Sequence, residues 1–256
     1  MKVRFLGTHH EESKNTRLVS FLIDGVLAVD AGSLASELSF SEQKKIQAIL
    51  LSHGHYDHIR GVPSFIFSNL SRTTRVFATS QTLKILSSHL FDGVIYPKFT
   101  EKTPFLKKPP IKLVPLKPFI PVQVRGYRVL ALPVNHITGS VGFEFTSKDG
   151  KKVLYTGDTG PGLSSLWEHV SPQLLIVDVT FPNRLNALAK SAAHLCPRTL
   201  QKELVEFQQV NGYLPQVVLI HLSPEFEAEI KEDVKKISKK LRHPIDIACE
   251  GEILRV

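Results

Sequence analysis

Between residues 51 and 61 the chain reads LSHGHYDHIRG, which puts three histidines and an aspartate within six positions. Imidazole nitrogens and carboxylate oxygens are ligands for zinc and related divalent ions. With 11 histidines in 256 residues, chance assembly of His-x-His-x-Asp-His anywhere in the chain is on the order of one in a thousand. Three more ligand types stand where apolar runs end: His136 closes LALPVNH, Asp158 closes VLYTGD and His221 closes VVLIH. One histidine at a strand end is ordinarily a satisfied surface or core residue; three such exits added to the dense motif point to a shared site. A tetrahedral ion needs about four ligands, so His53, His55, Asp57, His58, His136, Asp158 and His221 are too many for one. They divide into His53, His55 and His136 around one ion and Asp57, His58 and His221 around a second, with Asp158 bridging. On an extended backbone His53 and His55 point the same way, while Asp57 and His58, at the start of the next helix, address the neighbouring ion.

The elements that must hold these groups follow from hydrophobic periodicity. KVRFLG, RLVSFLID and GVLAVDAG read as strands, with a tight turn at Asp24-Gly25. A helical pattern at 34–45 leads into IQAILLS, a buried strand that stops where the histidine motif begins. Loops at strand ends, held by a rigid sheet, are where ligating side chains converge. Helices are predicted at 58–70 and 80–90, with RVFAT as a strand between them. Residues 100–122 carry too many prolines for a helix or central strand and are predicted to form an extended lysine-rich excursion; a plain connection between half-folds and a substrate-gripping lid are both open for it. Strands resume at YRVLALPV, VGFEFTS and KKVLYTG. A helix near 163–170 precedes the strand QLLIVDVTF, and helices at 197–209 and 224–240 flank QVVLIHLS. Both halves mix sheet and helix, which suggests two similar layers facing each other within one domain over residues 1–256.

Composition narrows the class. Hydrophobic residues make up 42% and charged residues 22%, the balance of an ordinary packed globular protein. The opening MKVRFLGTHH is too short an apolar run for a signal peptide, and no stretch of about 18 apolar residues offers a membrane span; the cytoplasm is the expected location. The two cysteines, Cys196 and Cys249, make no disulfide framework and fit a reducing compartment. A formal charge of +8 favours anionic substrates without naming one.

The HGHYDH motif with His136, Asp158 and His221 resembles the metallo-β-lactamase superfamily. That resemblance implies an α/β fold, a four-layer αβ/βα sandwich with a dinuclear site at one edge of two sheets. Its β-lactamases place a cysteine in the second metal site and this chain has none there, so antibiotic hydrolysis is not expected. His55 likewise differs from the glutamate of the flavo-diiron oxygen reductases. A carboxylate at 158 resembles the hydrolases of phosphodiesters and thioesters. GDTGPGLSSLWEHVSPQLLIVDVTFPN followed by SAAHLCPRTL resembles the class II 3′,5′-cyclic-nucleotide phosphodiesterases, and the tRNA-processing ribonuclease Z enzymes carry a comparable histidine; HIRGVP resembles both groups.

The resemblance implies a phosphodiesterase that uses two divalent ions, zinc first, with manganese or iron as alternatives. The reason for two ions is that neutral water is a poor nucleophile and a phosphodiester anion repels attack. Asp158 is expected to orient the pair, and Asp57 to accept the proton of the attacking water. Expelling a ribose alkoxide calls for an acid, and His194 is the candidate, against a structural histidine ahead of the helix at 197. His9 and His10, at the exit of the first strand, are expected to contact substrate or to occupy a surface turn. Asp30 is expected to steady the ligand loops from behind. The leading substrate is a 3′,5′-cyclic nucleotide such as cAMP, released as a nucleoside 5′-monophosphate. A ribonuclease Z-like RNA 3′-processing endonuclease is the alternative, although those enzymes use a long glycine- and proline-rich arm and residues 100–122 supply little glycine or length. A catalytically silent nucleotide-sensing metalloprotein is the third reading. The expected partner is a small anionic phosphodiester, with RNA as the second candidate and no membrane; relatives suggest a homodimer.

Overall fold

The computed structural model describes residues 1–102 and 106–256. Residues 103–105, inside the expected excursion at 100–122, lie outside the described residues. Side chains alternate between the two faces of each strand, and that alternation builds four layers. One sheet contains β1 (Lys2–Gly7), β2 (Ser20–Ile23), β3 (Leu27–Val29), β4 (Ala48–Leu50), β5 (Thr74–Thr79) and β6 (Ile111–Leu116) in chain order. The other contains β7 (Val122–Val124), β8 (Tyr127–Pro133), β9 (Val141–Thr146), β10 (Lys152–Tyr155), β11 (Leu174–Asp178), β12 (Gln216–Ile220) and β13 (Ile245–Ile247), again in chain order. The last strand, β14 (Ile253–Arg255), returns to pair antiparallel with β1.

On β2, Phe21 and Ile23 face the second sheet while Leu22 faces outward; on β4, Ala48 and Leu50 face in and Ile49 faces out. The inward set meets Phe143, Phe145, Tyr155, Ile176 and Ile220 of the second sheet in one apolar layer. Phe21 packs edge-on against Tyr155 across it, with ring centroids 5.0 Å apart. The outward set of the first sheet is covered by α2 (Tyr56–Ile59), α3 (Gly61–Phe67) and α4 (Ser80–Ile85). That of the second is covered by α5 (Ser164–Trp167), α7 (Pro197–Asn211) and α8 (Glu227–Leu241), with α6 (Asn186–Ser191) nearby in sequence. The expected αβ/βα sandwich is the observed fold.

Each sheet opens with an antiparallel meander and ends in parallel strands: β3 to β6 in the first, β10 to β13 in the second. β8 and β10 both run antiparallel to β9, and β12 is parallel to β10 through β11. The exits of β8, β10 and β12 therefore share one edge. Asp24 and Gly25, both at positive φ, make the predicted turn between β2 and β3.

Three expectations need correction. The helix predicted at 34–45 is reduced to α1 (Phe40–Gln43). Ser39 fixes its start by accepting the Glu42 N–H while the Glu42 carboxylate accepts the Ser39 N–H. Residues before it are held as turns by hydrogen bonds to the Ser33 carbonyl. The excursion at 100–122 contains β6, paired parallel with β5. β6 tolerates Pro115 because, among the described residues, it is the edge strand of its sheet. The helix at 80–90 continues past α4 only as a wider π-type segment, Leu86–Leu90.

Candidate metal centre

Strand exits deliver the ligands. The loop after β4 carries His53 and His55, and α2 carries Asp57 and His58 in its single turn. This loop lies close to the chain at Gly32, where an added Cβ would stand 2.2 Å from the Asp57 carbonyl oxygen. His136 follows β8, Asp158 follows β10 and His221 follows β12. Gly157, at φ +65, turns the chain so that Asp158 enters the centre. Asp30, Ala193 and His221 also sit at positive φ, a left-handed conformation that costs non-glycine residues energy and recurs at functional sites.

All seven predicted ligands come together. One atom organises them: Asp158 Oδ2 lies 3.6 Å from His53 Nε2, 3.2 Å from His58 Nε2, 3.9 Å from His136 Nε2 and 3.1 Å from His221 Nε2. His55 Nδ1 lies 3.0 Å from His136 Nε2. Asp57 Oδ2 is 3.2 Å from His221 Nε2 and 3.5 Å from His58 Nε2. Beside a smaller group of Asp178, His194 and His221, two larger groups of possible ligands result, His53, His55, His136 and Asp158 in one and Asp57, His58, Asp158 and His221 in the other. Asp158 belongs to both.

The surrounding hydrogen bonds assign the imidazole tautomers. His58 Nδ1 donates to Asp30 Oδ2 at 2.8 Å. His53 Nδ1 donates to Ser52 Oγ at 3.0 Å, and that hydroxyl donates to Asp30. His136 Nδ1 donates to the Ala193 carbonyl at 3.1 Å. His221 Nδ1 donates to Thr180 Oγ1 at 2.8 Å, and Thr180 donates to Asp178 Oδ1. With a cation at the centre, each of these four rings would present an Nε2 lone pair to it. Asp30, expected behind the ligands, is fully buried and accepts from Ser52, His58 and the Tyr155 hydroxyl. The hydroxyl of Tyr155 thereby ties the apolar layer to the ligand shell.

Burial and neighbouring charges pull the imidazoles of this centre in opposite directions. Burial, then the neighbouring His58, pushes His53 well below its usual pKa, and burial lowers His55 and His136 too. Burial also opposes charge on His58, but the carboxylates of Asp158, Asp30 and Asp57 outweigh it and hold that imidazole well above its ordinary value. His221 is pushed up to about 10 against its burial, chiefly by Asp158. Asp158 lies well below the carboxylate range despite burial, because His221, His58 and His53 surround it. Asp57 is lowered against its burial by His58 and His221. Among the described residues the Nε2 atoms of His53 and His58 and Oδ1 of Asp158 are buried with no hydrogen-bond partner, at a cost of about 1–3 kcal/mol for each unsatisfied group. Divalent cations would satisfy all three at once, and nitrogen and carboxylate donors in this number fit zinc.

The remaining expected site residues separate. His194 flanks the centre, its ring 5.2 Å from His221 and nearly parallel to it, and 4.9 Å from His136. Its Nδ1 donates to Asp178 Oδ2 at 2.8 Å. His10 stands at the rim, 5.5 Å from the His221 ring and 6.3 Å from Phe181. His9 has both nitrogens beside carboxylates, Glu250 at 3.2 Å and Glu227 at 3.4 Å, so it joins the N-terminal loop to α8 and the C-terminal turn. Asp178 and Thr180 escaped the sequence reading. Their signal was an acid closing the apolar run LLIVD, where a charge is buried only if it has partners.

The chain is similar in sequence and fold to several known proteins. The family described as "Beta-lactamase superfamily domain" matches residues 20–229. A probable 3′,5′-cyclic-nucleotide phosphodiesterase of Yersinia pestis is 26% identical over 231 residues, 81% of this chain and 66% of that protein; the match thus spans just under two thirds of the relative. A ribonuclease Z of Bradyrhizobium is 24% identical, covering 91% of this chain and 93% of the relative. The crystal structure of unliganded yeast PDE1 superposes with a TM-score of 0.85 at 17% identity, covering 100% of this chain and 99% of that one. Among the described residues no helix is long and apolar enough to cross a membrane.

Proposed function

The chain belongs to the beta-lactamase superfamily, and from that premise we propose that it is a two-metal phosphodiesterase that opens 3′,5′-cyclic nucleotides to nucleoside 5′-monophosphates. The observation that carries this reading is Asp158 Oδ2 within 4 Å of four imidazole nitrogens, a carboxylate shared between two ligand groups. His53, His55 and His136 would hold one divalent ion, Asp57, His58 and His221 the second, and Asp158 both. When bound, the ions supply a Lewis acid that lowers the pKa of water and neutralises phosphoryl charge; zinc suits the donors best.

The chain's own groups supply the rest. Asp57, the most exposed of the carboxylates at the centre, is placed to take the proton of the attacking water. Breaking the P–O3′ bond leaves an alkoxide, and His194 is placed to protonate it. Burial works against charge on this imidazole, but the Asp178 carboxylate outweighs it and raises the His194 pKa, a shift toward the doubly protonated ring whose Nδ1 donates to Asp178. His10 borders the entrance, where it can meet the substrate.

The match to ribonuclease Z over nearly the full length of both chains supports a second reading, RNA 3′ processing. Residues 111–116 favour the small substrate, because they are spent on an edge strand and not on a projecting arm. Metal-loaded protein assayed on cyclic AMP and on a precursor tRNA with a 3′ trailer separates the two. Turnover of the cyclic nucleotide, abolished in Asp158→Ala, is the expected result; turnover of the RNA alone overturns it, and steep loss of RNA affinity with salt would accompany that outcome. Saturable nucleotide binding without product would instead identify a silent sensor.

A further inference from the structure

A groove of about 580 Å³ opens alongside His136, within the range of small-ligand sites. Its walls are the N-terminal turn of α4, the end of β6 with Lys117 and Pro118 after it, and the loop 133–141 that carries His136. His136 therefore faces two ways: its Nε2 reaches to 3.9 Å from Asp158 Oδ2, and the residue lines the groove. A molecule whose phosphate lies at the centre has this space next to it.

Among the groove's polar groups Thr79, Asn135 and His136 are tied to the surrounding loops, which leaves Ser140, Gln81 and Lys117 among the rest. Ser140 lines the groove at 4% exposure, and its buried hydroxyl has no hydrogen-bond partner among the described residues. Gln81 lies against Gly139, which is at φ +90 and where an added Cβ would come 2.7 Å from Gln81 Cβ; the glycine lets the Gln81 side chain pack down onto the loop. Gln81 and Lys117 are exposed, and among the described residues neither side chain is tied up in a hydrogen bond or ion pair. Between these polar groups Pro118 and Ile137 give apolar faces.

We propose that this groove is a nucleobase subsite. The base lies on the apolar faces of Pro118 and Ile137, with its hydrogen-bonding edge toward Gln81 and Ser140. A carboxamide presents a donor beside an acceptor, the complement of a base edge such as N6 and N7 of adenine, and a hydroxyl can serve as either. Lys117 adds a cation at the mouth. The inference rests on the phosphodiesterase reading in one respect, the seating of the phosphate at Asp158.

Titration calorimetry of the zinc-loaded protein with adenosine 5′-monophosphate and with ribose 5-phosphate, which keeps the sugar and phosphate but has no base, tests it. The base should tighten binding about 5- to 150-fold, since a good bidentate base contact discriminates by about 1–3 kcal/mol. Gln81→Ala should remove most of that preference while ribose 5-phosphate binds as before. Ser140→Ala gives a second, smaller loss of the same kind. Equal affinities in the wild type, no binding of either ligand, or a preference that survives both substitutions overturns the subsite. Hydrolysis of bis(p-nitrophenyl) phosphate, which has no base, reports on the phosphodiesterase reading separately: its absence sinks that reading, whereas the calorimetric preference does not depend on turnover.

Discussion

The two sheets follow one strand plan yet equip the centre in opposite ways. The first delivers four ligands from one short stretch after β4, His53 to His58. The second delivers three, each from a different parallel exit: His136, Asp158 and His221. The supports differ as well. Behind the first set stands one buried acid, Asp30, which takes His58 directly and His53 through Ser52. Behind the second, Asp178 and Thr180 hold His221 and also His194. A dense loop can be folded into place locally, but the dispersed set exists only when β8, β10 and β12 are in register, so it makes the site conditional on the finished sheet.

Asp158 is where the two halves meet, and its loss should have the largest effect. Asp158→Ala is expected to lower metal content from two ions per chain toward one and to reduce kcat/KM on the order of 10³-fold or more, since charge stabilisation by an ion is worth several kcal/mol. Elemental analysis of the purified variant beside its kinetics checks both; two ions retained would end the shared role. Next in size is His194→Ala. A general acid contributes roughly 10²–10⁴-fold, so turnover of a cyclic nucleotide should fall by about that factor. Hydrolysis of bis(p-nitrophenyl) phosphate, whose phenolate leaves without help, should fall much less. An equal loss on both substrates would make His194 a packing partner of His221.

The same contrast explains what could be read from the chain. His53, His55, Asp57 and His58 are visible because neighbours in sequence are neighbours in space, and His136, Asp158 and His221 because each ends an apolar run. The strand pattern suggested two similar layers facing each other, and the αβ/βα sandwich itself was implied by the family resemblance of the ligand motif. Asp178 and Thr180 were not, because their role exists only across β11 and the loop before α7, a contact without a sequence period. The short strands β13 and β14 are half exposed and carry too little alternation to stand out. Residues 34–45 look helical by spacing, but Ser39 caps the helix from inside that window. β6 was hidden by Pro115, which disqualifies a central strand but not an edge strand.

Removing the supports should give intermediate effects and test whether they are equivalent. Asp30→Asn and Asp178→Asn are each expected to weaken metal affinity by about 10–100-fold, the usual cost of losing a partner behind a ligating histidine. Competition with a chromophoric chelator reads this, with circular dichroism to confirm folding. Asp178→Asn should also reduce kcat of the fully metal-loaded protein, because His194 loses the charge that holds its proton; Asp30→Asn should not. Equal kcat in the two reloaded variants would remove the distinction between the halves.

The smallest effects lie in the two crossover helices, α1 between β3 and β4 and α5 between β10 and β11, which occupy matching places in the two sheets. A glutamate steadies each chain start, in opposite surroundings. Glu42 is half exposed, takes Arg4 at 2.7 Å and accepts the Ser39 N–H; the Arg4 guanidinium, then Ser39, bring its pKa down to about 2. Glu203 is buried on α7 and accepts the N–H groups of Gly162 and Leu163 before α5; burial outweighs those bonds and raises its pKa. The linkage signs are therefore opposite. The depressed carboxyl of Glu42 contributes stability that is present above its unfolded value of 4.5 and lost as pH falls toward about 2. The raised carboxyl of Glu203 contributes stability that is present below 4.5 and lost as pH rises through its folded value. Urea denaturation across pH 3–8 for the wild type, Glu42→Gln and Glu203→Gln checks this. The wild type's advantage over Glu42→Gln, below about 1 kcal/mol after solvent screening, should shrink with acid, and its advantage over Glu203→Gln should shrink with base. Parallel pH profiles for the two variants would mean that the matching helices are held alike.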